Sequence, residues 1–310
     1  MADRRDLMGY RDGHPDVCWP DGARLAVSFV VNVEEGAELS IADGDERNES
    51  VYEAREEVVG APDPCMESHY GFGPRVGYRR IVDALARHGV PATFSCCGRA
   101  AERSPWLVRD AVSRGHEASC HGWRWERLAG MPEDEQRRNI ARTFDAVSTA
   151  AGVAPLGWHT RSASAPETRR LLVEHGGFLY DSDAYDDDTP YIREVGGRQH
   201  VILPYAFDTN DMRFQPGGGF VQPEDFTRYC LSAFDRLWKE GAQVPRMLSI
   251  GLHLRIIGRP ARIGALDALL DAMAERGQVW FATRAQIATH WRTALGLPDH
   301  QASGDADVAR

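Results

Sequence analysis

Arg24-Leu-Ala-Val-Ser-Phe-Val-Val-Asn-Val33 is almost unbroken in apolar and β-branched character. A strand with one wet face alternates apolar and polar residues. An unbroken run is expected where both faces are covered, as in a parallel sheet flanked by helices. The rest of the chain fits that frame. Further strands are expected at Pro91–Cys97, His116–His121, Pro155–His159, Phe178–Asp181, Val201–Pro204, Met247–His253 and Val279–Ala282. Between them lie helical stretches at 75–88, 104–115, 132–151, 166–175, 223–241, 260–276 and 283–295. Ser104-Pro105 is an N-cap and first-turn pair, and Gly89 and Gly176-Gly177 sit where helices should stop. This alternation predicts an α/β fold, a single distorted (β/α) barrel with about seven parallel strands. One domain is expected over residues 1–297, with a flexible tail at 298–310. A polar, acidic excursion from Gly36 to Ser68 is too long for a simple connection.

Composition narrows the partners. The 310 residues carry 36 basic and 46 acidic side chains, a net charge of −10 without any basic tract. That excludes nucleic acid and anionic membrane as expected partners. No stretch approaches the ~20 apolar residues of a membrane span, and no leader is visible, so a cytoplasmic protein is expected. The six cysteines (18, 65, 96, 97, 120 and 230) have no framework spacing and read as reduced thiols.

In β/α barrels the chemistry gathers at the C-terminal ends of the strands. Glu34 and Glu35 end the first strand, and a buried strand seldom ends in paired carboxylates without a task. A carboxylate can activate water when burial lifts its pKa toward the working pH. His253 ends the buried run Leu248-Ser-Ile-Gly-Leu-His253 and is placed to protonate a departing nitrogen; a core histidine bonded to a carbonyl is the competing reading. His121, in Gly115-His-Glu-Ala-Ser-Cys-His121-Gly-Trp-Arg-Trp125, is a candidate base, oxyanion donor or ligand. A histidine four residues later would complete a metal grip with a carboxylate, but position 125 is Trp. Two protein ligands fall short of the usual three for catalytic zinc, so neither a metal nor another cofactor is expected. Fixed donors would then hold a developing oxyanion. Arg161, a rigid fork of donors, and Trp158 are candidates for substrate contact beside Glu35 and Trp125. Asn210, in Asp208-Thr-Asn-Asp211, is a candidate for amide recognition, with an Asx turn the alternative. Cys120 faces away from its neighbour His121 and is not expected to act with it.

These segments, taken in order over residues 5–295, resemble the polysaccharide deacetylase (NodB-homology) superfamily. Within it the chain is most similar to the metal-independent bacterial allantoinases. The matching runs include Leu25 to Gly36, Pro91 to Phe94, Gly115 to Glu117 with His121 to Trp125, Gly177 to Asp183, Asp208 to Phe214, and Met247 to Arg255. The resemblance implies that Glu34 and Glu35 stand where deacetylases carry paired aspartates, base and then ligand. It implies His121 and Trp125 in place of a His-x-x-x-His pair, and His253 in place of the general acid. It further implies hydrolysis of a small cyclic amide, allantoin to allantoate first, by a homo-oligomer, with a tetramer favoured. A related imide or hydantoin-type amidohydrolase and a metal-dependent deacetylase of amino-sugar polymers are the alternatives. The branch carries Tyr-Thr-Gly-Arg after Gly-Trp, whereas here the run is Gly157-Trp-His-Thr-Arg161. A pocket-lining loop that differs in this way points to a change in the ring accepted.

Overall fold

The computed structural model describes residues 5–11, 13–50, 56–161 and 163–300. Strand β1 (Leu25–Val33) is buried along its whole length, as its composition requires. Its outward residues Leu25, Val27, Phe29, Val31 and Val33 join the main core beneath the helices. Its inward residues are Ala26, Ser28, Val30 and Asn32, with Glu34 following on the same face. Each buried aliphatic or aromatic side chain contributes roughly 1.5–3 kcal/mol. That outward row therefore anchors the strand against the cost of holding polar groups on its inner side.

Around β1 the chain lays down β2 (Ala92–Cys96), β3 (Glu117–Cys120), β4 (Gly157–Trp158), β5 (Tyr180–Asp181), β6 (Tyr191–Val195), β7 (Arg198–Ile202), β8 (Arg246–His253) and β9 (Val279–Phe281). The sheet runs β6-β7-β5-β4-β3-β2-β1-β8. β9 pairs with β1 at Leu25–Val27, below the level at which β2 takes over at Phe29. All ladders are parallel except β6–β7. The result is a curled, distorted β/α barrel. Among the described residues it has no ladder between β7 and β8, and one isolated bridge, Asn210 to Gly251, ties the segment after β7 to β8.

Helices α1 (Pro64–Phe72), α2 (Tyr78–His88), α3 (Gly98–Arg103), α4 (Pro105–Ser113), α5 (Glu133–Ala151), α6 (Thr168–His175), α7 (Pro223–Glu240), α8 (Pro260–Arg276) and α9 (Arg284–Ala294) cover the outside. Among the described residues no helix is long and apolar enough to cross a membrane. All six cysteines are free thiols.

The structure adds to these expectations. The antiparallel edge strand β6 was not anticipated, although Gly196-Gly197, both at positive φ, form its hairpin turn with β7. The excursion after Gly36 is not all irregular. Asp63 caps α1 through the backbone N–H groups of Cys65 and Met66, and a π-helical segment, Gly73–Gly77, carries α1 into α2. Of the expected tail, the Pro298 carbonyl accepts from the Arg292 guanidinium at 2.6 Å, and residues 301–310 lie outside the described ones.

His116 stitches two strand starts together. Its Nδ1 accepts the Ala92 N–H at 3.1 Å, and its ring lies 5.2 Å from that of Phe94. Burial, helped by the Arg114 charge, pushes this imidazole from 6.5 down to about 4. Since the folded value lies below the ordinary one, the unfolded chain takes up the proton first. The contribution is complete above pH 6.5 and is lost as pH falls toward 4. The full loss amounts to about 3 kcal/mol. Urea unfolding at pH 6.5 and at pH 4 should show His116→Gln less acid-sensitive than the parent by that order. Equal sensitivity would remove His116 from the account.

Candidate functional site

Register assembles the site. Val33, Cys96, Cys120 and Trp158 stand level across β1 to β4. The backbone pairing continues one residue further: Cys97 N–H donates to the Val33 carbonyl, His121 N–H to Cys96 and His159 N–H to Cys120. Glu34, Cys97, His121 and His159 therefore leave the strand ends at one height and on the inner face. One layer lower, Asn32 is level with Ser95 and with His253. A carboxylate from the first strand and imidazoles from three others are thus brought into one cup. It is almost dry: Glu34 and Glu35 are 3% exposed, His121 and His253 2% and Arg255 3%.

Glu34 Oε1 lies 3.3 Å from His121 Nε2 and 3.8 Å from His253 Nε2, while Oε2 accepts from Arg255 Nη1 at 2.9 Å. Burial alone would push its carboxyl up. His253, Arg255 and the His121 hydrogen bond outweigh burial and hold Glu34 well below the usual carboxylate range. Glu35 points elsewhere. Its Oε1 accepts from the Arg255 N–H at 3.2 Å and lies 3.4 Å from Arg255 Nη1. A β-carbon at Gly73 would stand 2.6 Å from its carboxyl group, so glycine there makes room for it. Burial pushes Glu35 up to about 7 against the pull of Arg255, with the Glu34 charge adding to the rise. The expectation that burial would lift the pKa of a strand-end carboxylate thus applies to Glu35, whereas Glu34 moves the opposite way because three cationic or donor groups face it.

His253 is held from behind. Its Nδ1 donates to Asp211 Oδ1 at 2.6 Å, and Asp211 Oδ2 accepts the backbone N–H groups of His253 and Ile257 at 2.8 and 3.0 Å. Burial disfavours the charged ring, but Asp211 and Glu34 prevail and raise its pKa. Its Nε2 is left facing Glu34. His121 is fixed by a 2.6 Å hydrogen bond from Nδ1 to the His159 carbonyl.

Not every candidate reaches the cup. Trp158 shares the outward level of Val33 and Cys120; it is fully buried in the main core, with Phe178 against it edge-on at 5.6 Å. Period-two alternation places it there and turns His159 inward instead. Asn210 is spent on the fold: Oδ1 accepts the Met212 N–H and Nδ2 donates to the Tyr205 hydroxyl. Asp211, its neighbour, reaches the site. The Arg161 guanidinium lies over the Trp125 ring at 3.8 Å. Trp125 itself borders the cup, 5.0 Å from the Arg255 guanidinium and edge-on to Tyr70 at 5.7 Å.

Sequence reasoning missed Arg255 and Tyr205, and held His159 and Asp211 only as members of the runs Trp158–Arg161 and Asp208–Asp211. The His159 ring packs at 5.0 Å from His121 and 4.3 Å from Tyr205. Burial, then the His121 charge, holds it well below the ordinary imidazole value, so it is neutral. Asn32 Oδ1, Ser95 Oγ, Trp125 Nε1 and His159 Nδ1 are buried polar atoms with no partner among the described residues. Such atoms are uncommon in a folded interior and mark where a polar guest would bind.

A divalent ion does not fit these donors. Among the described residues no three His, Cys, Asp or Glu side chains are grouped so as to hold one. Position 125 offers an indole N–H, and the Arg255 guanidinium already lies against both glutamates.

Comparison with known proteins agrees with the fold. The family described as polysaccharide deacetylase matches residues 61–180. A Schizosaccharomyces pombe protein assigned to the polysaccharide deacetylases is 35% identical over 94% of this chain and 98% of its own. Two solved structures superpose with a TM-score of 0.89 at 42% identity, each over 94% of this chain and 98% of the other. One is a Pseudomonas aeruginosa protein assigned as a polysaccharide deacetylase; the other is the allantoinase PuuE.

Proposed function

The chain belongs to the polysaccharide deacetylase family, and from that premise we propose that it is a metal-independent hydrolase opening a C–N bond of a small cyclic amide, allantoin to allantoate. The observation that carries this reading is burial. Glu34, His121 and His253 are each no more than 3% exposed, which suits a guest of a few atoms across and not a polymer chain needing an open groove. The unpartnered Trp125 Nε1, Asn32 Oδ1, Ser95 Oγ and His159 Nδ1 supply both donors and acceptors, as a ring of alternating N–H and C=O groups requires. A 42% identical structure that is an allantoinase supports the same choice.

In the proposed reaction Glu34, kept ionised by its surroundings, takes a proton from water as the oxygen attacks the ring carbonyl carbon. The developing oxyanion is held by fixed donors, with His121 the nearest imidazole. The tetrahedral centre collapses, the ring C–N bond breaks, and His253 Nε2 gives its proton to the leaving nitrogen. Asp211 keeps that ring oriented and supplied with its proton. The Glu34 proton returns to the histidine, and one water is consumed overall.

A second reading, a hydantoin-type or cyclic-imide hydrolase, is favoured by the His159 ring, which enters the cup from the loop that follows Trp158. Purified protein, exhaustively chelated, should be incubated with allantoin, hydantoin, succinimide and N-acetylated chitooligosaccharides. Allantoin consumption undiminished by chelation is expected. Acetate release from the oligosaccharides alone, restored by zinc, would overturn the proposal.

A further inference from the structure

The Arg255 guanidinium occupies the position where two glutamates and residue 125 meet. Its Nη1 lies 2.9 Å from Glu34 and 3.4 Å from Glu35, and its backbone N–H donates to Glu35 at 3.2 Å. Two aromatic faces enclose it, Tyr70 at 4.7 Å and Trp125 at 5.0 Å. A cation buried to 3% exposure is tolerated only when paired, and here both carboxylates and both ring faces serve that end. The backbone places it with little slack. A β-carbon at Gly77 would collide with the Leu254 carbonyl oxygen, and one at Gly258 would strike the same atom. Both glycines let the turn after β8 press against the start of α2, which fixes the point where Arg255 departs.

We propose that Arg255 is the permanent cation of this centre, standing where a metal-dependent relative would place its ion, and that Trp125 is the matching change that seats it. The inference deepens the hydrolase reading of the same site and rests on it. The two substitutions belong together. An imidazole at 125 would gather donors around a divalent ion, but that ion would lie beside a fixed positive charge. The indole instead offers the guanidinium a π face and presents no lone pair. The positive charge that such a centre otherwise takes from solution is here covalently part of the chain, so it does not vary with metal supply.

The test measures metal, not turnover. Wild type, Trp125→His, Arg255→Met and the double variant are loaded with zinc, dialysed and assayed for bound zinc by atomic emission, with melting curves taken alongside. The double variant should retain stoichiometric zinc and melt higher with zinc than without. Trp125→His alone should retain none, because Arg255 still holds the position. Stoichiometric zinc in Trp125→His, or none in a folded double variant, overturns the proposal. Should the Arg255→Met proteins not fold, Arg255→Lys replaces them: a zinc-free Trp125→His/Arg255→Lys supports a resident cation, and zinc uptake by it counts against one. Zinc retention is independent of the substrate. A failure of allantoin turnover in the wild type would therefore sink the activity and leave this result standing.

Discussion

Replacing Glu34 with glutamine is expected to lower kcat by roughly a hundred- to ten-thousand-fold, the range for removing a positioned general base, while the protein stays folded. Folding is not a trivial expectation. Taking one partner from a buried ion pair ordinarily costs about 3–5 kcal/mol, because the other charge is left alone. Here Arg255 has a second carboxylate at 3.4 Å. Glu35 is pushed up to about 7 partly by the Glu34 charge, so neutralising residue 34 lets Glu35 ionise more readily and take over the pairing. The melting temperature should therefore drop less than a broken buried pair implies. Glu35→Gln gives the contrast: Glu34 keeps its contacts with His121, His253 and Arg255, and most of the turnover should survive. Steady-state kinetics on both variants, with melting curves, settle the assignment. Glu34→Gln retaining activity within tenfold of the parent, or Glu35→Gln falling as far, would move the base to the other carboxylate.

What was legible beforehand follows a physical division. Whatever depends on period and burial along one strand could be read directly. Arg24–Val33 announces a parallel strand covered on both faces, and the positions at or just past the strand ends name Glu34, His121 and His253 as residues that meet. Matters that depend on which face a short strand presents were harder. β4 is two residues long, Gly157 and Trp158, too short for alternation to reveal its phase, so the bulky Trp158 was favoured over His159. Only the level pairing of Cys120 with Trp158 decides that the indole goes out and the imidazole goes in. Asn210 and Asp211 pose the same problem in a turn. Either could reach the site, and the short 3-10 helix that Asn210 caps at Asp211–Phe214 turns Asp211 inward. Arg255 left almost no trace. An arginine two residues beyond a strand-end histidine reads as a solvated rim, and its burial depends on Glu34 and Glu35, more than two hundred positions away. Two hints were available: Gly258 nearby, and distant paired carboxylates that lacked an obvious counter-charge. The hairpin β6–β7 was available from Gly196-Gly197 alone, but the apolar pattern of Tyr191–Val195 is weak because that strand is only partly buried.

The second large effect is expected at Asp211, a residue that touches no substrate and acts through His253. Asp211→Asn keeps the shape and removes the charge. Two backbone N–H groups, from His253 and Ile257, converge on Oδ2, so an amide must turn its oxygen toward them. Its NH2 group then faces His253 Nδ1, which must accept instead of donate, and the ring can no longer be doubly protonated without a clash of donors. The Asp211 charge is also the largest influence raising the His253 pKa against burial. Without it burial is opposed by Glu34 alone, the His253 pKa falls, and proton delivery to the leaving nitrogen weakens. Turnover should fall by roughly the hundred- to ten-thousand-fold range of a lost general acid. Stability should fall by about 1–3 kcal/mol, because charge-assisted hydrogen bonds are replaced by neutral ones. The pH profile separates this from a merely structural defect. Loss of the charge lowers the pKa of the acid, so residual activity should shift toward acidic pH, while a general loosening of the fold would scale the whole curve down unchanged. Asp211→Glu, which restores the charge at the wrong length, should recover the parent's pH dependence without its full rate. An Asp211→Asn enzyme with the parent's profile and rate would mean that His253 does not need its carboxylate, and that the proton reaches the nitrogen by another route.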